Sequence, residues 1–179
     1  MRENAEPTPR VLAWKEVRRR NTPGLSPEAF AELIFAEFLP FVAPVDVEAL
    51  ASRLGVSLTE VDSVSWAGAV NTTDRSAAIW VRRSDPTVRK RFTIGHELGH
   101  LTLHEAGAAF RDDTFTGDWR EVQANRFAAA LLMPEPLVSH LRRRGLTIAK
   151  ELARILVVSE SAMKYRLANL TGEDPERIR

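Results

Sequence analysis

The first strong hydrophobic pattern in the chain begins after residue 25, where apolar side chains recur every three or four positions. These residues are Phe30, Leu33, Ile34 and Phe38. Their period places them on one face of an α-helix. Ser26 followed by Pro27 is typical of a helix start, because serine caps the first free N–H groups and proline fits the first turn. We therefore predict a helix from Pro27 to about Leu39.

A different pattern follows, with short runs of β-branched and aromatic residues. Asp46 caps a second short helix, after which residues 56–61 are predicted to form a strand. Two further runs, 66–70 and 77–82, flank a turn-rich segment and predict a hairpin. We expect a small antiparallel sheet, whose strand from Ala77 to Val81 lies at an edge and offers that edge to an extended peptide.

The second half of the chain has helical periodicity. One helix is predicted from Asp85-Pro86 to about His104, and another from near Asp118 to Met133, where prolines end it. Three more helices are predicted at 136–144, 148–157 and 160–170, the last capped by Ser159. The fold class expected from this pattern is α+β and mainly helical.

Length and local composition divide the chain into three parts. Residues 1–25 are rich in Pro, Arg and Glu and are expected to form an extension of uncertain order. Residues 26–135 are expected to form the core, and residues 136–179 a C-terminal helical module packed on it. A chain of 179 residues suits one domain with a small appendage.

Composition excludes several classes of protein. The 44% of hydrophobic residues is ordinary for a globular protein, and no apolar run approaches the roughly 20 residues of a membrane helix. The N-terminus lacks an apolar signal region, so we expect a cytoplasmic location. Without cysteine, any metal ligand must be His, Asp or Glu. A net charge of +1 gives no global attraction to nucleic acid.

The strongest chemical signal lies inside the third predicted helix, in the sequence His96-Glu97-Leu98-Gly99-His100. Residues four apart share a helix face, so both imidazoles can bind one metal ion. The glutamate between them is placed to act as a general base. We expect one Zn²⁺, although His and carboxylate ligands also accept Mn²⁺ or Fe²⁺.

A catalytic zinc needs a third protein ligand, for which the sequence offers two candidates. Glu121 lies on the next predicted helix, and Asn125 is one turn further on, where it can accept a hydrogen bond from an imidazole of the site. His104 competes for the third position, but on a straight helix it would lie about 12 Å from His96 along the axis. We therefore expect His104 to contact substrate, to support a ligand or to be merely structural.

Three further side chains have the chemistry to stabilise a tetrahedral intermediate. They are His140, Tyr165 and Arg126. The sequence does not rank them, and an ordinary partly exposed histidine is the simpler interpretation of His140.

Three stretches of the chain together resemble the ImmA/IrrE family of metallopeptidases. They are residues 89–104 around His96-Glu97-Leu98-Gly99-His100, residues 121–134 beginning Glu121-Val122-Gln123-Ala124-Asn125, and residues 44–51. The resemblance spans roughly residues 44–170 and implies a zincin-like fold. It further implies that His96, His100 and Glu121 bind zinc, that Glu97 is the catalytic acid and base, and that the substrate is a helix-turn-helix phage-type repressor. Gly95 stands where the family usually has alanine.

Two other functions remain open. Residues 147–170 have the pattern of two helices joined by a short turn, as in DNA-binding helix-turn-helix proteins. Between residues 140 and 179, nine basic residues outnumber five acidic ones, which is a modest excess. We favour packing or repressor recognition for this module over direct DNA binding. The second alternative is a regulatory protein that binds metal but does not cleave.

Overall fold

The computed structural model of the protein describes residues 14–62, 65–73, 76–104, 110–111 and 119–178. Eight α-helices lie in these residues: α1 Trp14–Arg19, α2 Pro27–Phe38, α3 Val47–Arg53, α4 Thr87–Leu103, α5 Trp119–Leu132, α6 Glu135–Arg143, α7 Ala149–Leu156 and α8 Glu160–Thr171. The four strands are β1 Val56–Val61, β2 Gly68–Thr72, β3 Ala77–Arg82 and β4 Phe110–Arg111. The expected fold class, α+β and mainly helical, is confirmed. None of the described helices is both long and apolar enough to cross a bilayer.

The predicted helix caps are present. The side chains of Ser26, Asp46 and Ser159 each accept a hydrogen bond from the backbone N–H three residues further on, at 3.2, 2.9 and 3.1 Å. Each bond satisfies an N–H group that the first helical turn leaves without an internal partner. These three helices therefore begin where the sequence predicts.

The sheet is mixed, so the expectation of an antiparallel sheet is wrong in one respect. Its strand order is β1-β3-β2-β4, with β3 antiparallel to β2 and parallel to β1. Because β3 has a partner on each side, the run from Ala77 to Val81 is not an edge strand, and that expectation is also wrong. The hairpin pattern predicts the pairing of β2 with β3 correctly, but it carries no information on which side of the hairpin β1 is placed.

Part of the predicted N-terminal extension packs on the core. Trp14 and Val17 of α1 are 3% and 1% exposed, and the backbone N–H of Trp14 donates to the carbonyl of Leu54 at 3.0 Å. These two apolar side chains are three residues apart, which is a helical spacing that the sequence analysis passed over. Residues 1–13 lie outside the described residues.

Helices α4 and α5 pack at very close range. A Cβ atom added to Gly99 would lie 3.1 Å from both the Ala124 Cα and the Phe127 Cδ1. At Gly95, one turn earlier, an added Cβ would be 3.4 Å from the Ala128 Cβ, which is ordinary contact. Gly99 therefore allows the backbones of the two helices to approach, and the approach brings the first turn of α5 over the middle of α4.

On its other side, α4 packs against β2 at Gly68. A Cβ atom added there would lie 2.2 Å from the Thr93 Cγ2 and 2.9 Å from the Glu97 Oε1. No side chain fits in this space, so the Glu97 carboxylate lies directly against the backbone of β2.

The C-terminal helices are anchored by one buried cation. Arg166 of α8 is 4% exposed, and its guanidinium donates to the carbonyl of Met133 at 3.0 Å and to the Glu32 carboxylate of α2 at 2.6 Å. The same Glu32 oxygen accepts the backbone N–H of Glu135 at 3.1 Å. One charge pair therefore joins α2, the α5–α6 junction and α8.

We predict that Gly68→Ala destabilises the protein by about 1–3 kcal/mol, because the new methyl group overlaps Thr93 and presses on Glu97. Thr93→Ser removes the overlapping methyl group, so the double variant should recover more than half of this loss. Urea unfolding measures both values. Gly95→Ala is the matched control and should be nearly neutral, since its methyl group meets only ordinary contact. Equal losses from the two glycine variants would contradict the packing described here.

We also predict that Arg166→Ala lowers the free energy of unfolding by about 3 kcal/mol, because it leaves the Glu32 carboxylate without its cation and the Met133 carbonyl without its donor. The control is Arg20→Ala, which removes an exposed ion pair with Glu37 and should cost less than about 1 kcal/mol. Urea unfolding of both variants is the measurement, and a loss at Arg166 no larger than that at Arg20 would show that the buried pair is not an anchor.

Candidate metal centre

Two histidines from α4 form one half of the site. His96 and His100 are 6% and 4% exposed, and their ring centroids are 4.6 Å apart. Their Nε2 atoms approach to 2.9 Å. The i, i+4 spacing thus directs both imidazoles to one point, as the sequence predicts.

The third group comes from the first turn of α5. The two carboxylate oxygens of Glu121 lie 3.1 Å from the His96 Nε2 and 3.0 Å from the His100 Nε2. One potential ligand atom from each of these three residues lies within 4.8 Å of the other two. The structure therefore brings Glu121 to both rings, as the expected ligand set requires.

The dimensions of this cluster suit a divalent cation. With metal–ligand bonds of about 2.0–2.1 Å, the donor atoms of a tetrahedral site are about 3.3 Å apart. The observed separations of 2.9–3.1 Å are smaller by a few tenths of an ångström. A small rotation of each side chain would fit an ion between two neutral imidazoles and a carboxylate, a donor set that zinc accepts.

Asn125 supports the site from one turn beyond Glu121. Its Oδ1 is 2.9 Å from the His96 Nδ1, which donates this hydrogen bond. When Nδ1 carries a proton, the Nε2 of neutral His96 keeps its lone pair for a metal ion. This contact is the one that the sequence analysis described for Asn125.

The electrostatics of the cluster separate the two histidines. Burial alone would lower the pKa of His96, but the hydrogen bond to Glu121 and the negative charges of Glu97 and Glu121 raise it overall. Burial and the neighbouring charge of His96 lower the pKa of His100 to about 4. The hydrogen bond from His96 lowers the pKa of Glu121. The two carboxylates thus favour positive charge at the His96 ring, where a metal cation can take the place of a proton.

Glu97 lies between the two histidines in sequence and is 2% exposed. Its side chain is held against β2 at Gly68, on the side of α4 that contacts the sheet. Its negative charge is close enough to His96 to raise the pKa of that imidazole. A carboxylate near an imidazole can in general exchange a proton with a group bound there.

The remaining candidates are not among the converging ligand atoms, although the His104 ring lies 5.6 Å from that of His100. His104 follows the last residue of α4, with its ring 5.3 Å from that of Trp119 and its Nε2 3.3 Å from the carbonyl oxygen of Arg120. The ring of His140 packs edge-on against Phe41 at 5.7 Å.

The other two candidates for stabilising a tetrahedral intermediate also have contacts away from the histidine cluster. Tyr165 is 62% exposed on α8, and Arg126 forms a hydrogen-bonded ion pair with Glu28. None of the contacts described for either residue includes the histidine cluster.

Sequence reasoning missed two residues that touch the site. Gly68 provides the space for Glu97, and nothing in the local pattern of β2 identifies this role. The ring of Phe92 lies 6.4 Å from that of His96, at an interplanar angle of 32°. Its position four residues before His96 was a usable signal, because that spacing puts both rings on one helix face.

The chain is similar to known proteins in sequence. The sequence model of one protein family, the IrrE N-terminal-like domain (Peptidase_M78), matches residues 46–168 of this chain. The radiation response metalloprotease IrrE of Deinococcus radiodurans is 37% identical over 93 residues, which cover 46% of this chain and 28% of that protein. Uncharacterized immunity region protein 2 of Bacillus phage phi105 is 39% identical over 62 residues, covering 33% of this chain and 39% of that protein. The matched part of the chain thus spans well under half the length of either relative.

A solved structure shares the fold. A Mycobacterium tuberculosis transcriptional regulator superposes with a TM-score of 0.59 over 97% of this chain and 55% of that one, at 19% sequence identity. The family model covers more than half of the 179 residues, including α4, α5 and their three converging side chains. The chain therefore belongs to the Peptidase_M78 family of IrrE N-terminal-like domains, a family of metallopeptidases.

Proposed function

We propose that the protein is a zinc-dependent endopeptidase that cleaves a helix-turn-helix transcriptional repressor and thereby relieves repression. The observation that supports this proposal most strongly is the convergence of His96, His100 and Glu121 from two helices. In a metallopeptidase family, a buried cluster of two imidazoles and one carboxylate is the expected place for the ion.

His96, His100 and Glu121 would hold the metal. A bound Zn²⁺ polarises the peptide carbonyl and lowers the pKa of water, which makes hydrolysis possible near neutral pH. Asn125 holds the His96 ring through Nδ1, so that Nε2, the nitrogen that faces Glu121, is the one available to bind the metal. The close packing of α4 and α5 keeps the carboxylate beside both rings.

We assign the proton transfers to Glu97. Its carboxylate accepts a proton from the attacking water as the new C–O bond forms. It then donates this proton to the amine nitrogen as the C–N bond of the peptide breaks, so the carboxylate is regenerated. Contact with β2 holds Glu97 in place through both transfers, and its burial excludes bulk water that would compete for the proton.

The substrate class rests on the relatives. One relative is a phage immunity region protein, and the structural neighbour is a transcriptional regulator. Both names fit a role in gene control, and a repressor substrate would place the protein in the cytoplasm. The alternative of direct DNA binding has less support, because Arg166 on α8 is buried against Glu32 and does not present its charge to phosphates.

Removal of the two histidines tests the metal site. We predict that His96→Ala/His100→Ala retains almost no zinc after dialysis, whereas the wild type retains about one ion per chain. His140→Ala is the matched control, since His140 packs against Phe41, and it should retain zinc like the wild type. Elemental analysis by mass spectrometry gives the metal content. Undiminished zinc in the double variant would show that the ion binds elsewhere.

Glu97→Gln tests the chemistry separately from metal binding. We predict that this variant keeps its zinc but cleaves a helix-turn-helix repressor about 10²–10⁴ times more slowly, because the amide cannot accept the proton. The measurement is the rate of appearance of repressor fragments, with the repressor encoded nearest this chain's gene as the probe. Wild-type rates in the variant would refute the role of Glu97. Intact repressor with the zinc-loaded wild type would refute the substrate class.

A further inference from the structure

An apolar groove lies between the first turns of α4 and the turn that joins α7 to α8. Its volume is about 340 Å³, within the range of sites that bind small ligands or side chains. The residues that line it include Val88, Arg89, Phe92, Val158, Ser159 and Ala162. The groove is therefore built jointly by the helix that carries the histidines and by the C-terminal module.

Phe92 links the groove to the histidine cluster. This half-buried ring lines the groove and also packs on His96, with 6.4 Å between the ring centroids. Four residues of helix correspond to a rise of about 6 Å, and an extended peptide advances about 3.3 Å per residue, so the side chain of a residue next to the scissile bond can span the rest of this distance. A peptide whose carbonyl lies at the histidines would therefore place a neighbouring side chain at the groove.

The walls of the groove are held in fixed positions. The Arg91 guanidinium of α4 donates to the carbonyls of Val45 at 2.7 Å and Val157 at 3.2 Å, so it ties α4 to the α7–α8 turn. Val158 is 7% exposed, and its N–H donates to the carbonyl of Ala153 at 3.0 Å. A site that exists before binding loses little entropy when it is filled.

The chemistry of the lining selects an uncharged guest. Val88, Phe92, Val158 and Ala162 present only carbon atoms from their side chains. The one charged side chain, Arg89, is exposed and lies 3.5 Å from the Asp85 carboxylate, which also pairs with Arg82 at 3.7 Å. An aliphatic or aromatic side chain would gain most from leaving water here, whereas an acidic or basic one would lose its hydration in a groove whose one charged side chain is the exposed Arg89.

We propose that this groove binds an apolar side chain of the peptide substrate next to the scissile bond, so that the C-terminal module takes part in substrate selection. The inference rests on the proposed function, because it requires a peptide held at the metal. In this proposal the helix-turn-helix-like segment forms one wall of the groove, which is a role other than DNA binding.

The test uses the zinc-loaded full chain and two peptide hydroxamates that differ only in the side chain beside the chelating group. One carries an isobutyl group and the other a hydrogen atom. Isothermal titration calorimetry measures both dissociation constants, so the test does not depend on catalytic activity. We expect the wild type to bind the isobutyl compound at least about tenfold more tightly.

Ala162→Leu fills the groove and should reduce this preference to within about threefold, with unchanged binding of the hydrogen compound. Ser161→Leu adds the same side chain at the exposed neighbouring position and should keep the wild-type preference. Val88→Phe fills the opposite wall and provides a second test if Ala162→Leu does not fold. Thermal unfolding of each variant checks the fold.

The outcomes separate this inference from the function on which it rests. Equal binding of the two hydroxamates by the wild type would overturn the groove assignment and leave the metal site intact. A preference that survives both groove-filling variants would overturn it as well. If neither hydroxamate binds the zinc-loaded chain, or if the chain does not take up zinc, the proposed function fails and the inference fails with it.

Discussion

Helices α4 and α5 contact each other where Gly99 packs against Ala124 and Phe127. The space between them at this point is too small for a side chain on residue 99. Glu121 lies about one turn before Ala124, so this contact determines where the carboxylate meets the histidines. A larger residue at position 99 would push the helices apart, and the donor atoms would no longer converge. The same contact aligns Asn125 with the His96 ring. The convergence of the three candidate ligands is thus a consequence of helix packing, which the absence of a side chain at Gly99 allows.

Local sequence signals predicted the local parts of this structure. Helix caps at Ser26 and Ser159 follow from hydrogen bonds within one turn, and the pairing of two imidazoles follows from helical spacing. Contacts between distant segments were harder to predict. The crossing of β1 to the far side of β3 and the fit of Glu97 against Gly68 depend on packing that no local pattern encodes. The position of Glu121 was expected only with help from family resemblance.

The C-terminal helices are integrated with the rest of the structure. Arg166 joins α8 to Glu32, and Arg91 joins α4 to the end of α7. Both arginines use their charge inside the protein, where it satisfies backbone carbonyls or a carboxylate. Of the nine basic residues between 140 and 179, Arg166 is therefore used in an internal contact. The apolar faces of α7 and α8, which give the sequence its helix-turn-helix-like pattern, are buried in the core. Val158 and Ala162 from the same region line the neighbouring groove.

The central claim is that one cation is bound by two side chains from α4 and one from α5. Diffraction at the zinc absorption edge from crystals of the zinc-loaded protein tests this claim most directly. The account predicts an anomalous peak about 2.0–2.2 Å from the Nε2 atoms of His96 and His100 and from one Glu121 oxygen. A peak that contacts the histidines while Glu121 points away, or a peak elsewhere in the molecule, would contradict it.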